Sequence, residues 1–181
     1  MKRRFISALC AMCLTSGLSG SASAQEKTWT VGGWDVLQVT DAFSDKSRTI
    51  ISLEQANNLL IIKCDSPGSV YVSTALLKDW IGKGQYTFRD VLLRFDAKPA
   101  YKQPWAHDDR TVSLLISEDA NAFVRQLLGA RKLAMRVWDY EGDQHDAMFE
   151  IPAETRSAMD VVYQGCAAGP VPEALGDEAA G

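Results

Sequence analysis

The chain has 181 residues, 46% of them hydrophobic, with 19 lysines and arginines against 23 aspartates and glutamates, a net charge of −4. That length allows one ordinary domain with a proper core. The acidic balance, with no local basic stripe, excludes an electrostatic footprint for nucleic acid or anionic lipid.

Met1 to Ala24 reads as a secretory signal. Lys2, Arg3 and Arg4 make a positive start, Phe5 to Leu18 an apolar stretch, and Ser21-Ala22-Ser23-Ala24 a small-residue cleavage site. The apolar stretch is shorter than the ~20 residues of a membrane span. Leu9 and Met12, which precede Cys10 and Cys13, are not the small residues of a lipoprotein signal. Removing these 24 residues from the 181 leaves 157; three basic residues go with them and no acidic ones, so 16 cations face 23 anions, a net −7. No further segment reads as a membrane span.

Cys10 and Cys13 leave with the signal, and Cys64 and Cys166 remain. In an oxidising compartment two cysteines allow one pairing, which would clip an early strand to the last helix. A pair so widely separated lacks the Cys-x-x-Cys spacing of a redox site.

Gln25 to Val31 reads as a loose lead-in, and Gly32-Gly33 opens a first strand over Trp34–Thr40. A polar turn at Asp41–Asp45 leads to a second over Arg48–Leu53. The third, Leu59–Cys64, is a short apolar run between the turn pair Asn57-Asn58 and Asp65-Ser66-Pro67-Gly68, bounds that mark a buried strand. Ser69–Ser73 is the fourth. From Thr74 to Gln85 the pattern weakens: Leu76, Leu77, Trp80 and Ile81 fit a helical turn or an irregular strand, broken by Gly82-Lys83-Gly84, which lacks the spacing of a phosphate loop. Over Phe88–Asp96, Val91, Leu93 and Phe95 alternate with Asp90, Leu92, Arg94 and Asp96, as in a half-buried strand. Lys102–His107 and Thr111–Ser117 then form a hairpin across His107–Arg110.

A helix follows, capped by Ser117 or Asp119, with Ala120, Phe123, Val124, Leu127 and Leu128 on one face and Gly129 at the left-handed position past its end. Lys132–Trp138 and His145–Ile151 make a second hairpin. Thr155 caps a last helix that brings Met159, Val162, Tyr163 and Cys166 to one face. Ala167 to Gly181, made of Ala, Gly, Pro and acid without periodicity, reads as a disordered tail after a single β-rich domain over 25–166. Eight or nine short strands and two helices predict a mainly β fold, an antiparallel β-sandwich or curled sheet with helices packed at the edge.

The chemistry on offer is sparse. His107, beside Asp108-Asp109, and His145, beside Asp146, are the only histidines; they could share a site if their hairpins met, but the plainer reading puts His107 in an exposed polar turn and His145 on a solvent face. No metal set and no cofactor motif is present, and no Gly-x-Ser-x-Gly elbow. Asp90 and Asp96 flank Arg94 as alternating charges on an exposed strand face do. Of Trp34, Trp80, Trp105 and Trp138, most belong in the core; Trp138 with Arg136 is the best surface patch for a partner.

The order Leu59-Leu-Ile-Ile-Lys-Cys64, then Arg94-Phe-Asp96 with Pro99-Ala100 and Trp105, then Phe123 to Val137, Tyr140 and Gly142, Ala147-Met-Phe149 and a late Cys166 resembles the TagO/VasI-type proteins associated with type VI secretion. A fainter similarity is to the invasion-associated locus B proteins. The resemblance implies an exported accessory protein without established catalytic residues, in which Arg94, Asp96 and Trp105 are pattern positions. With Arg136 and Trp138 they are the candidate partner-binding residues. The resulting expectation is a periplasmic or secreted, non-catalytic module that binds a protein or a cell-envelope component. Its alternatives are an inhibitor of a hydrolase and a metal-dependent envelope hydrolase using His107 and His145.

Overall fold

The computed structural model of the chain describes residues 25–44, 46–65, 68–76 and 87–175. Ten strands form one antiparallel sheet: β1 Gln25–Val31, β2 Trp34–Thr40, β3 Ser47–Gln55, β4 Asn58–Asp65, β5 Ser69–Leu76, β6 Thr87–Phe95, β7 Tyr101–Asp108, β8 Thr111–Leu114, β9 Lys132–Trp138 and β10 Gln144–Glu150. Two helices, α1 Ser117–Leu128 and α2 Thr155–Gly165, pack against it. The sheet order is β1-β2-β3-β4-β5-β8-β7-β6-β9-β10. After the β5–β6 connection, which lies outside the described residues along with Trp80, the chain re-enters the sheet two strands beyond β8. Helix α1 then carries it from β8 over to β9.

The sheet is open in its hydrogen bonding but curled, so that β10 comes against β3 and β4. At that meeting the Gln55 side-chain amide acts as a strand in miniature: its Nε2 donates to the Glu150 carbonyl at 2.7 Å, and its Oε1 accepts from the Glu150 N–H at 2.7 Å. One residue in two along each strand points inward to a single core that includes Trp34, Ile51, Leu60, Ile62, Val72, Leu93, Trp105, Leu133 and Phe149. This alternation is the period of two that the sequence carries.

Three expectations about elements change. Gln25–Val31 is a full strand rather than a lead-in, because Gly32 and Gly33, at φ +53° and +82°, make the two-residue turn that folds it onto β2 with Val31 opposite Trp34. The turn before β4 is Ala56-Asn57, at φ +49° and +64°, with Gln55 opposite Asn58. Thr74 to Leu76 continue β5, with Thr74 and Leu76 buried; residues 77–85 are outside the described set.

Neither helix is capped as expected. Ser117 opens α1 but gives its hydroxyl to the Val70 carbonyl at 3.2 Å. Thr155 accepts the Trp34 indole N–H at 3.0 Å and donates to the Pro152 carbonyl at 2.6 Å. Gly129 ends α1 in right-handed conformation, φ −96°, rather than left-handed. Val171 nevertheless packs on the core beyond α2, and the Leu175 N–H donates to the Arg125 carbonyl at 3.3 Å.

The disulfide is present between Cys64 and Cys166, with Cα atoms 5.8 Å apart at a sequence separation of 102. It ties the middle of the sheet to the residue after α2, and the Gly68 N–H donates to the Cys166 carbonyl at 3.0 Å beside it. Just before it, Gly165 lets α2 lie directly on β3, since a Cβ there would overlap the Thr49 hydroxyl. That hydroxyl is buried and has no hydrogen-bond partner among the described residues.

Two changes test this contact. Gly165→Ala should cost about 2 kcal/mol through overpacking. Thr49→Val, which keeps the shape and removes an unpaired buried hydroxyl, should be neutral or stabilise by up to ~1 kcal/mol. Chemical denaturation of both variants reads the two signs; a destabilised Thr49→Val would mean that the hydroxyl is satisfied in solution.

Candidate functional site

The inward phase of β6, β9 and β10 builds the core, so the outward phase of the same three strands forms a face in fixed register. Leu92 lies opposite Arg136 and Arg94 opposite Ala134; Arg136 in turn lies opposite Asp146 and Ala134 opposite Met148. Together with Ala100 these residues line a shallow cleft of about 250 Å³.

Its charges are unequally matched. Arg136 and Asp146 form a two-pronged ion pair, Nε to Oδ1 at 2.8 Å and Nη2 to Oδ2 at 2.9 Å. The pair holds the Asp146 carboxyl below its ordinary range, with the Arg136 hydrogen bonds as the main cause, and raises the guanidinium. Both side chains are about two-fifths or more exposed, so solvent screening leaves the pair little weight in stability. Its effect is to fix the guanidinium plane at the cleft. Arg94, one strand over, is exposed and has no ion-pair or hydrogen-bond partner among the described residues. Met148 in the same cleft is 58% exposed, a large apolar side chain in a strand phase otherwise given to polar residues. Unpaired cation, oriented second guanidinium and apolar wall together suit a ligand that carries an anionic group next to an apolar one.

Of the residues singled out in the sequence, Arg94 and Arg136 are brought together here. Trp138 is half-buried in the same outward phase of β9, two residues beyond Arg136. Asp96 and Trp105 are not part of the face. The Asp96 carboxylate accepts the N–H groups of Arg131 at 3.0 Å and Lys132 at 2.8 Å, with its own backbone left-handed at φ +51°, and so pins the end of β6 to the start of β9. Trp105 is fully buried, with its ring edge-to-face on Phe123 at 5.6 Å, and is a core residue rather than a surface one. Leu92, Asp146 and Met148 were not singled out; the signal for them is an apolar or acidic residue in the outward phase of a strand.

The histidines occupy other places. His107, expected in an exposed turn, is 1% exposed, with neither ring nitrogen hydrogen-bonded among the described residues, because β7 runs on through Asp108 and gives His107 the inward phase of Trp105. Burial, and secondarily the Arg89 charge, lower its pKa to about 4. His145 Nε2 lies 2.9 Å from Asp139 Oδ2. That hydrogen bond is the main cause of a lowered Asp139 pKa; the Asp139 carboxylate also takes the Glu141 and Asp143 N–H groups, which shapes the β9–β10 turn. Arg89 donates to the Asp139 carbonyl at 2.5 Å. Among the described residues no three His, Cys, Asp or Glu side chains are grouped to hold a metal ion, and no helix is long and apolar enough to cross a membrane.

Compared with known proteins, the chain matches no family model, no curated protein and no solved structure.

Proposed function

We propose that the protein is a non-catalytic binding module of the cell envelope, exported to the periplasm, whose recognition face is the outward surface of β6, β9 and β10. The partner is a protein or envelope component that presents an acidic group beside an apolar one. The observation that carries this reading is Arg94, an exposed cation without a partner among the described residues, set between Leu92 and Met148. Support for export comes from the Met1–Ala24 pattern and from the Cys64–Cys166 bond, a linkage that persists in oxidising compartments. On the TagO/VasI-type resemblance, the partner to look for first is a component of a type VI secretion apparatus.

The test is quantitative capture from envelope extract with the wild-type chain and with Arg94→Glu and Met148→Glu as bait. Both positions are at the surface, so neither change should disturb folding. The expected result is a specific partner recovered by the wild type and reduced tenfold or more by either variant. Equal recovery by all three baits would remove the face from the account.

A further inference from the structure

We infer that β1 is the pairing edge for a second copy of this chain, joined antiparallel to the same strand of its partner about a two-fold axis at Thr28. This does not rest on the cleft, which lies on strands at the other end of the sheet order.

The two edges of the sheet differ. At β10 the N–H and C=O of Glu150 are already taken by the Gln55 amide, and the curl of the sheet brings β3 and β4 alongside. Beyond β1 no strand lies among the described residues. All seven residues of β1 pair with β2 in unbroken register, with no bulge and no proline. An open, regular edge of this kind is a template for another strand.

The two-residue turn at Gly32-Gly33 fixes which groups are free. Val31 and Trp34 close the turn as a hydrogen-bonded pair, so the odd residues of β1 bond to β2. The N–H and C=O groups of Glu26, Thr28 and Thr30 therefore point away from the sheet. Centred on Thr28, a second β1 places Thr28 opposite Thr28, and Glu26 opposite Thr30 on either side, so each outward group meets a complementary one. On the other face Lys27 falls opposite Trp29, the ring it already covers within its own chain at 5.1 Å. Threonine pairs are favourable across strands, and no like charges are opposed. Axes at Glu26 or Lys27 would oppose identical charges, and an axis at Thr30 shortens the overlap.

Sedimentation of the purified protein from low micromolar to near-millimolar concentration tests this. The expected result is a concentration-dependent rise to twice the monomer mass. Thr28→Pro removes only an outward N–H, so it costs no bond to β2. It should weaken dimerisation tenfold or more, with the thermal midpoint unchanged at low micromolar concentration, where the wild type too is monomeric. Thr28→Lys, which sets two lysines on the axis, should do the same without constraining the backbone. A wild type that stays monomeric throughout overturns the inference, as does a dimer that survives both substitutions.

Discussion

Replacing Cys64 and Cys166 together with alanine should lower the unfolding free energy by ~4–5 kcal/mol, the chain-entropy value for a closed loop of about a hundred residues. The loop here spans 102 positions, from the middle of the sheet to the end of the last helix. Releasing it frees most of the domain in the unfolded state at once. The native contacts of α2 on β2, β3 and β4 remain, so the variant should still fold, with a lower denaturation midpoint. A urea titration against the wild type, run without reductant, reads the difference. A loss below about 1 kcal/mol would show that the bond constrains a chain already held in place by other contacts.

The second large effect is an acid instability that belongs to His107. In the unfolded chain its imidazole takes up a proton below about pH 6.5, whereas in the fold, buried and beside Arg89, it does so only at about pH 4. Between these values the unfolded state holds more protons, so stability falls as pH falls across this window and the effect levels off below it. A separation of this size corresponds to about 3 kcal/mol. His107→Leu removes both the titration and two unpaired buried nitrogens. The wild type should therefore lose stability relative to the variant as pH is lowered from 7 to about 4, as read by denaturation at a series of pH values. The lowered Asp41, Asp139 and Asp146 carboxyls act at lower pH and in both proteins, so the difference between them isolates His107. Parallel curves would mean that the ring finds a hydrogen-bond partner in solution.

Much of the fold is legible in the residue pattern because the curled sheet has one wet face and one dry. Alternation in Phe88–Asp96, the two hairpins and the helical spacing of Phe123, Val124 and Leu127 all follow from that division. The first strand escapes because it lies at an edge. Only Trp29 and Val31 pack on the core, and Gln25, Glu26, Lys27, Thr28 and Thr30 are the exposed residues such a strand allows. His107 is misplaced by its acidic neighbours, although counting by two from Trp105 gives its true side. Trp105 is misplaced in the opposite sense: the family resemblance sets it among the candidate partner-binding residues, while its strand phase puts it on Phe123.

The cleft is harder to read from sequence, since it is assembled from β6, β9 and β10 and depends on register between strands about forty residues apart, as where Arg94 pairs with Ala134. Arg94 and Arg136 stand out as charges on strands, but their proximity is a fact of pairing. Ser117 and Thr155 show a similar limit: local chemistry favours each as a helix cap, and long-range partners, Val70 and Trp34, take their hydroxyls instead.

An exported, disulfide-closed domain is the premise on which the binding face stands. The most direct measurement is the intact mass of the protein recovered from the periplasmic fraction and alkylated without reduction. The account expects a chain that begins at Gln25 and carries no label. A chain that retains Met1–Ala24, or one labelled at both Cys64 and Cys166, would contradict it.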